Sequence, residues 1–488
     1  MLLLLALSVF VVIIGVQLLT TLGVTPNTAI IGAMVAMIIA RIPLQSFMRF
    51  RSIHIQNLAQ SATSAATFGA ANSLLLPIAI PWLFGRQDLV IPMFIGVALA
   101  MFLDAWLLYR LFNTRIFPAG GAWPPGIAAA ESIKAGDNGG KQAALLGVGI
   151  LIGAIGSWFK FPMAALGTAF IGNILALSML GVGFLLRGYS APLFGVDINQ
   201  HYLPHGVMAG ASLVSLFQIV KLVRHNKHDA APAASDDNAM AVNQNEHIGK
   251  TLRFGALGFV AIAATVALGG GLYRELSLPW LLAFVVYAAF AAFFHEIIVG
   301  LAAMHSGWFP AFAVALITLL VGILIGFPPV AFVMLCGFST ATGPAFADMG
   351  YDLKAGYIMR GKGQHTRLEL EGRRQQLLAA MLVFVVAIPV VMFVFQDYFS
   401  RGQVPPVAKV YVAAINAVVS TDIALSLLIW AIPGALIQLI GGPGRQMGVL
   451  LATGLLINNP LAGWAVMIGI AIRALALRIW GETARNKM

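Results

Sequence analysis

The chain has 488 residues, of which 60% are hydrophobic and only 10% charged, and its mean hydropathy is +0.90. A soluble domain carries roughly 25% charged residues, so water is excluded as the main solvent for this chain. The formal net charge of +11 does not point to nucleic acid, because the 29 basic residues fall mostly between apolar runs, as they do in cytoplasmic loops.

Met1–Ala40 contains no charged side chain, and the same holds for Phe161–Leu186, Ile297–Ala347, Gln375–Phe395, Ile423–Gly444 and Gln446–Ile472. Each run is long enough for one or two spanning helices of roughly 20 residues. Buried amides in hydrocarbon must be satisfied within their own segment or in a closed barrel. The runs are continuous and lack the short alternating segments of a barrel, so the fold expected is all-α and polytopic. A count of apolar stretches gives roughly 13 to 16 transmembrane or re-entrant helical segments.

The opening Leu-rich run has no Lys or Arg before it and continues to Leu22, beyond a normal signal-peptide core, so it reads as a first spanning helix. The basic clusters Arg41/Arg49/Arg51, Arg110/Arg115, Lys221/Arg224/Lys227 and Lys354 to Arg374 are expected on the cytoplasmic side. Four apolar segments between Arg253 and Lys354 return the chain to its starting side. Three between Arg115 and Lys221 do not, so one re-entrant piece is expected near Phe117–Gly136 or Phe161–Leu186, where prolines and glycines interrupt the helix. The polar stretch 224–250 divides the chain into an N-terminal membrane half, 1–223, and a C-terminal half, 251–488.

Ionisable groups within apolar segments are costly and therefore worth weighing one at a time. Glu131 reads either as a proton-coupling carboxylate or as an interfacial helix residue. His295 and Glu296, in Ala-Phe-Phe-His-Glu-Ile-Ile-Val, read either as a titratable buried pair or as a polar turn at the membrane surface. Asp104 favours a helix-surface or helix-end position, with His305, Asp348 and Asp422 ambiguous in the same way. His201 and His205 have an i, i+4 spacing, but Pro204 lies between them and no carboxylate or thiol completes a metal set. The single cysteine, Cys336, lies in an apolar run and reads as a small buried hydrophobe.

Gly356 to Gly363 imitates a nucleotide-binding loop, but Gly363 stands where the magnesium-binding Ser or Thr is needed and no strand precedes it. Chemistry driven by ATP is not expected of this chain, and neither an enzymatic activity nor a resident metal or other cofactor is predicted.

Three blocks carry a family resemblance. Asp352-Leu353-Lys354-Ala355-Gly356-Tyr357 is the most specific. Phe117-Pro118-Ala119-Gly120, then Ala128-Ala129-Ala130-Glu131 and Lys134-Ala135-Gly136, form the second. Gln56 followed by Asn-Leu-Ala-Gln-Ser-Ala-Thr-Ser-Ala-Ala is the third. Taken in their order along the chain, they resemble the oligopeptide transporter family of peptide and yellow stripe-like metal-chelate carriers. The chain departs from that pattern at His305-Ser306-Gly307-Trp308-Phe309-Pro310-Ala311, where a polar Asn-x-Pro-x-Ser-Gly block is expected.

The resemblance implies a secondary active transporter of the cell membrane that moves oligopeptides or peptide-like chelates, with protons as the coupling ion and lipid as its surroundings. Glu131 and Glu296 are the candidates for coupling, and His205, His295 and His305 for the solute pathway. Asp352 and Lys354 are expected to form an ion pair at the cytoplasmic edge, worth under about 1 kcal/mol if exposed. The alternative from another class is an integral membrane enzyme acting on a lipid-linked substrate, but no paired-Asp motif is present. A channel or scaffold would show a repeated pore-lining element or partner domains, and neither is visible in the sequence.

Overall fold

The computed structural model describes residues 2–23, 35–37, 50–137, 140–170, 173–229, 248–307, 311–418, 420–442 and 445–480. Its helices in chain order are α1 (Leu2–Leu22), α2 (Ile53–Phe68), α3 (Leu76–Leu83), α4 (Val90–Leu111), α5 (Pro124–Asp137), α6 (Gly140–Trp158), α7 (Met163–Thr168), α8 (Ile174–Phe194), α9 (Leu203–Asp229) and α10 (Ile248–Gly269). They continue as α11 (Leu278–Ser306), α12 (Ala311–Ile325), α13 (Pro329–Ala341), α14 (Pro344–Met359), α15 (Thr366–Ser400), α16 (Pro406–Asn416), α17 (Thr421–Gly441), α18 (Met447–Leu455) and α19 (Pro460–Trp480). Among the described residues no strand occurs, and the all-α polytopic expectation holds.

Nine helical stretches among the described residues are long and apolar enough to cross a membrane, and two shorter apolar helices, Leu7–Leu22 and Ala311–Ile325, accompany them. Their outward faces are apolar. On α17, Leu425, Leu428, Ile432, Leu436 and Leu439 are all exposed, which is the face a hydrocarbon solvent requires. Of the two stretches where a re-entrant piece is expected, 161–186 holds the six-residue α7 and most of α8, and 117–136 holds most of α5.

The chain packs as two compact units. The first comprises 1–17, 27–137 and 219–404, and the second 18–26, 138–218 and 405–488. Each unit therefore draws chain from both sides of the polar stretch 224–250, most of which lies outside the described residues.

In the second unit α8 packs closely on α18 and α19. Gly183 makes the α8–α18 crossing possible: a Cβ there would overlap the Leu451 carbonyl, and one at Gly454 would overlap the Leu180 carbonyl. Small residues at such crossings let backbones approach where lipid gives no hydrophobic drive to associate. Substituting Gly183→Leu is expected to force the helices apart and destabilise the protein by about 1–3 kcal/mol, the range for overpacking. A lower apparent Tm of the detergent-purified variant would show it, and an unchanged Tm would contradict this packing.

In the first unit two spans dominate the interior. In Ile53–Leu83 and Pro329–Met359, 89% and 94% of the apolar window is buried, against 61% or less in the other seven. Both are irregular. The first passes from α2 through a π-helical stretch, Gly69–Leu75, into α3. The second breaks between α13 and α14. Helix α2 packs on α14 and α3 packs on α13, so the two spans run antiparallel. Irregular backbone at membrane depth is tolerated only where protein or an internal cavity surrounds it, and these are the two spans so surrounded.

Candidate functional site

The break between α13 and α14 is written in Thr342-Gly343-Pro344. Pro344 has no N–H and starts α14 at its first turn, while Gly343 takes φ +103, a conformation that L side chains rarely adopt. The freed backbone groups find side-chain partners. Asp104 of α4 accepts the Gly343 N–H through Oδ2 at 2.9 Å, and the Thr342 hydroxyl donates to the Ser339 carbonyl at 3.0 Å. Asp104 is thus fully buried and faces the break, correcting the helix-surface expectation. The reason is that a broken helix exposes a donor in the core that only an acceptor from a neighbouring helix can satisfy.

His295 and Glu296 lie within α11, are both fully buried, and are not part of a surface turn. His295 Nε2 is 3.1 Å from the Ala311 carbonyl, which can only accept, so this nitrogen carries a proton. Nδ1 is 3.1 Å from the Thr342 hydroxyl. When the ring is neutral, Thr342 donates to Nδ1. When the ring is protonated, Nδ1–H donates to Thr342, and the hydroxyl hydrogen turns to Ser339. The neutral state thus takes the Thr342 hydrogen from the Ser339 carbonyl, and the protonated state returns it.

Glu296 is in the opposite condition. Neither carboxyl oxygen has a hydrogen-bond partner, and its electrostatic neighbour is Asp104, whose Oδ1 also lacks a partner. Two carboxyl groups and one imidazole therefore meet at a helix break in a buried interior. Ionised carboxylates without partners are expensive in such surroundings, and proton uptake removes that cost.

A second polar seam runs between α2 and α14. Gln60 Nε2 donates to Asp352 Oδ1 at 2.6 Å, and Ser64 donates to Asp348 Oδ1 at 2.5 Å. Gln376 of α15 donates to the Asp352 carbonyl at 2.6 Å and to Ser61 at 3.0 Å. Its own carbonyl oxygen accepts from Arg360, which pairs with Glu369 at 2.8 Å beside Arg373 at 2.7 Å.

The cytoplasmic-edge ion pair expected of Asp352 and Lys354 is corrected here. Asp352 is fully buried against Gln60, while Lys354 donates to the Ala119 and Gly121 carbonyls at 2.7 and 2.8 Å. Two residues apart on a helix, the side chains diverge by about 200° and cannot face each other. Lys354 instead ties the 117–123 loop to α14, joining two of the sequence blocks that carry the family resemblance.

The remaining candidates lie elsewhere. Glu131 is exposed on α5 and pairs with Lys134 at 3.1 Å, so it is not brought to the buried cluster. His305 is half-buried near the end of α11. His205 is buried in the second unit against the edge of the Tyr202 ring, and its Nδ1 has no hydrogen-bond partner. Among the described residues no group of three or more His, Cys, Asp or Glu is arranged to hold a metal ion. An open concavity of about 720 Å³, lined by Tyr109, Arg367, Leu370, Glu371 and Arg374, lies at the start of α15 and contains none of the candidates.

Sequence reasoning passed over Gln60, Ser64 and the buried placement of Asp348. One signal was available. Gln56, Gln60, Thr63, Ser64 and Thr67 recur at helical spacing and make one polar face on an otherwise apolar span. A search of curated proteins finds no match to the chain. The family model described as OPT oligopeptide transporter protein matches residues 1–219 and 195–488. With its helical membrane fold, its interrupted central spans and this coverage, the chain belongs to the oligopeptide transporter family, a family of transporters and not of enzymes.

Proposed function

We propose that the protein is a proton-coupled secondary transporter of the cell membrane, carrying oligopeptides or peptide-like and metal-chelate solutes. The observation that carries the proton coupling is the buried set of Glu296, Asp104 and His295 at the α13–α14 break. A coupling group must lose and regain a proton during each cycle. Glu296 has no fixed partner to hold it in either state, and the Thr342 hydroxyl lets His295 adopt both. Discontinuous helices near the membrane midplane are where carriers bind ions and solutes, and the two most buried spans here are the irregular ones. The solute assignment rests on the family.

Transport by the purified chain in liposomes tests this reading. A labelled short-peptide mixture is expected to accumulate above its outside concentration when the outside is the more acidic, and a protonophore is expected to abolish the accumulation. Equal uptake with and without the gradient would remove the proton. No uptake by folded protein, with metal chelates also supplied, would remove the solute class.

A further inference from the structure

We propose that Asp348 and Asp352 of α14, together with Gln60 and Ser64 of α2, form a binding site for an alkali-metal cation of sodium size, separate from the Glu296 cluster. The two aspartates are one helical turn apart on the same face of α14 and interact electrostatically, and both are buried. The cations nearest in sequence are engaged elsewhere: Lys354 with the Ala119 and Gly121 carbonyls, and Arg360 with Glu369.

A second observation is independent of the acidic pair. Gln60 is 1% exposed, and its amide is directed at Asp352, yet its Oε1 has no hydrogen-bond partner; nor does Asp352 Oδ2. Oxygen acceptors without donors, here Gln60 Oε1 and Asp352 Oδ2 on two contacting side chains, are what a cation replaces a donor for. Rotation of the Gln60 amide by half a turn brings Oε1 to the position now held by Nε2 and converts a donor to Asp352 into a ligand beside it.

The donor set selects the ion class. With the Gln60 amide turned, all the available atoms are oxygens, which suit hard cations and offer nothing to thiophilic metals. Magnesium gives up its water reluctantly, and calcium takes about 6–8 oxygens. The four side chains supply calcium's minimum only if every oxygen, including those already accepting from Gln60 and Ser64, turns to the ion. A monovalent ion needs less, and with one proton shared between the carboxyl groups it leaves the pair neutral.

Binding of 22Na+ to the detergent-purified full chain, in choline buffer, tests the site without any transport. Wild type is expected to bind the isotope saturably, with displacement by unlabelled sodium and not by choline. Asp352→Asn and Asp348→Asn are each expected to weaken binding at least tenfold, whereas Asp397→Asn, at an exposed ion pair with Arg401, leaves it unchanged. Sodium should also raise the Tm of wild type and not that of Asp352→Asn, which separates lost binding from lost folding. No saturable binding by folded wild type, or undiminished binding by both aspartate variants, would overturn the proposal, and saturable 45Ca2+ binding in place of sodium would overturn the ion assigned. Proton-driven uptake measured in sodium-free buffer reads the Glu296 cluster alone, so either proposal can fail without the other.

Discussion

Glu296→Gln is expected to abolish proton-driven accumulation of solute in liposomes while leaving exchange of labelled for unlabelled solute intact. Gln has nearly the shape of the protonated acid but cannot release a proton, so it fixes the neutral state. The accumulation ratio should fall to about 1, the value reached when no coupling free energy links the two fluxes. Folding is not the obstacle, because the Glu296 carboxyl forms no hydrogen bond that Gln would break. A variant that still concentrates solute under an acid-outside gradient would exclude Glu296 as the coupling group. Glu131→Gln serves as the comparison. Its carboxylate is exposed beside Lys134, and the variant is expected to transport as wild type does.

The second large effect concerns stability. Glu369 is fully buried between two guanidinium groups. It accepts from Arg360 Nε at 2.8 Å and Nη2 at 3.2 Å, and from Arg373 Nε at 2.7 Å. Gly356 and Gly372 leave the space Arg360 occupies, since a Cβ at either position would collide with its side chain. Gln376 then extends the network to Ser61 and to the Asp352 carbonyl. Removing the one acidic member by Glu369→Ala leaves two buried cations facing each other, and breaking a buried pair in this way costs about 3–5 kcal/mol. A steep loss of folded protein and a lower Tm in detergent should follow, with Glu369→Gln milder because its amide oxygen still accepts one bond. A Tm equal to wild type in Glu369→Ala would show that the network carries no such stability.

The helical membrane fold was legible in the sequence because it depends on uncharged length, which a single chain displays directly. The charge-free runs locate α1, α8, α12, α13, α15 and α17 to α19 without reference to any contact. Glu296 and His295 were also legible, since charge and imidazole inside an apolar run stand out. What the runs could not convey was which segments interrupt themselves in the interior. The π-helical stretch Gly69–Leu75 contains no proline, and its neighbours Met101 and Phe384 come from distant positions.

Asp104 and Asp352 were misplaced for a related reason. A carboxylate near an Arg or Lys in sequence resembles a helix end or a loop, and nothing local shows that Gly343 N–H or Gln60 waits across a helix interface. Arg360, Glu369 and Arg373 likewise appear as a solvated basic stretch until folding brings them together. The two interleaved packing units are invisible for the same reason, because they are defined by contacts between residues far apart in the chain.

The most direct test of the central claim is whether solute itself moves protons. Purified protein is placed in liposomes containing a pH-sensitive dye, with equal pH on both sides, and peptide is added outside. Wild type is predicted to acidify the lumen as peptide enters, and Glu296→Gln to give no pH change although peptide still exchanges. Peptide entry by wild type without acidification, or equal acidification by the variant, would contradict a carrier coupled to protons through Glu296.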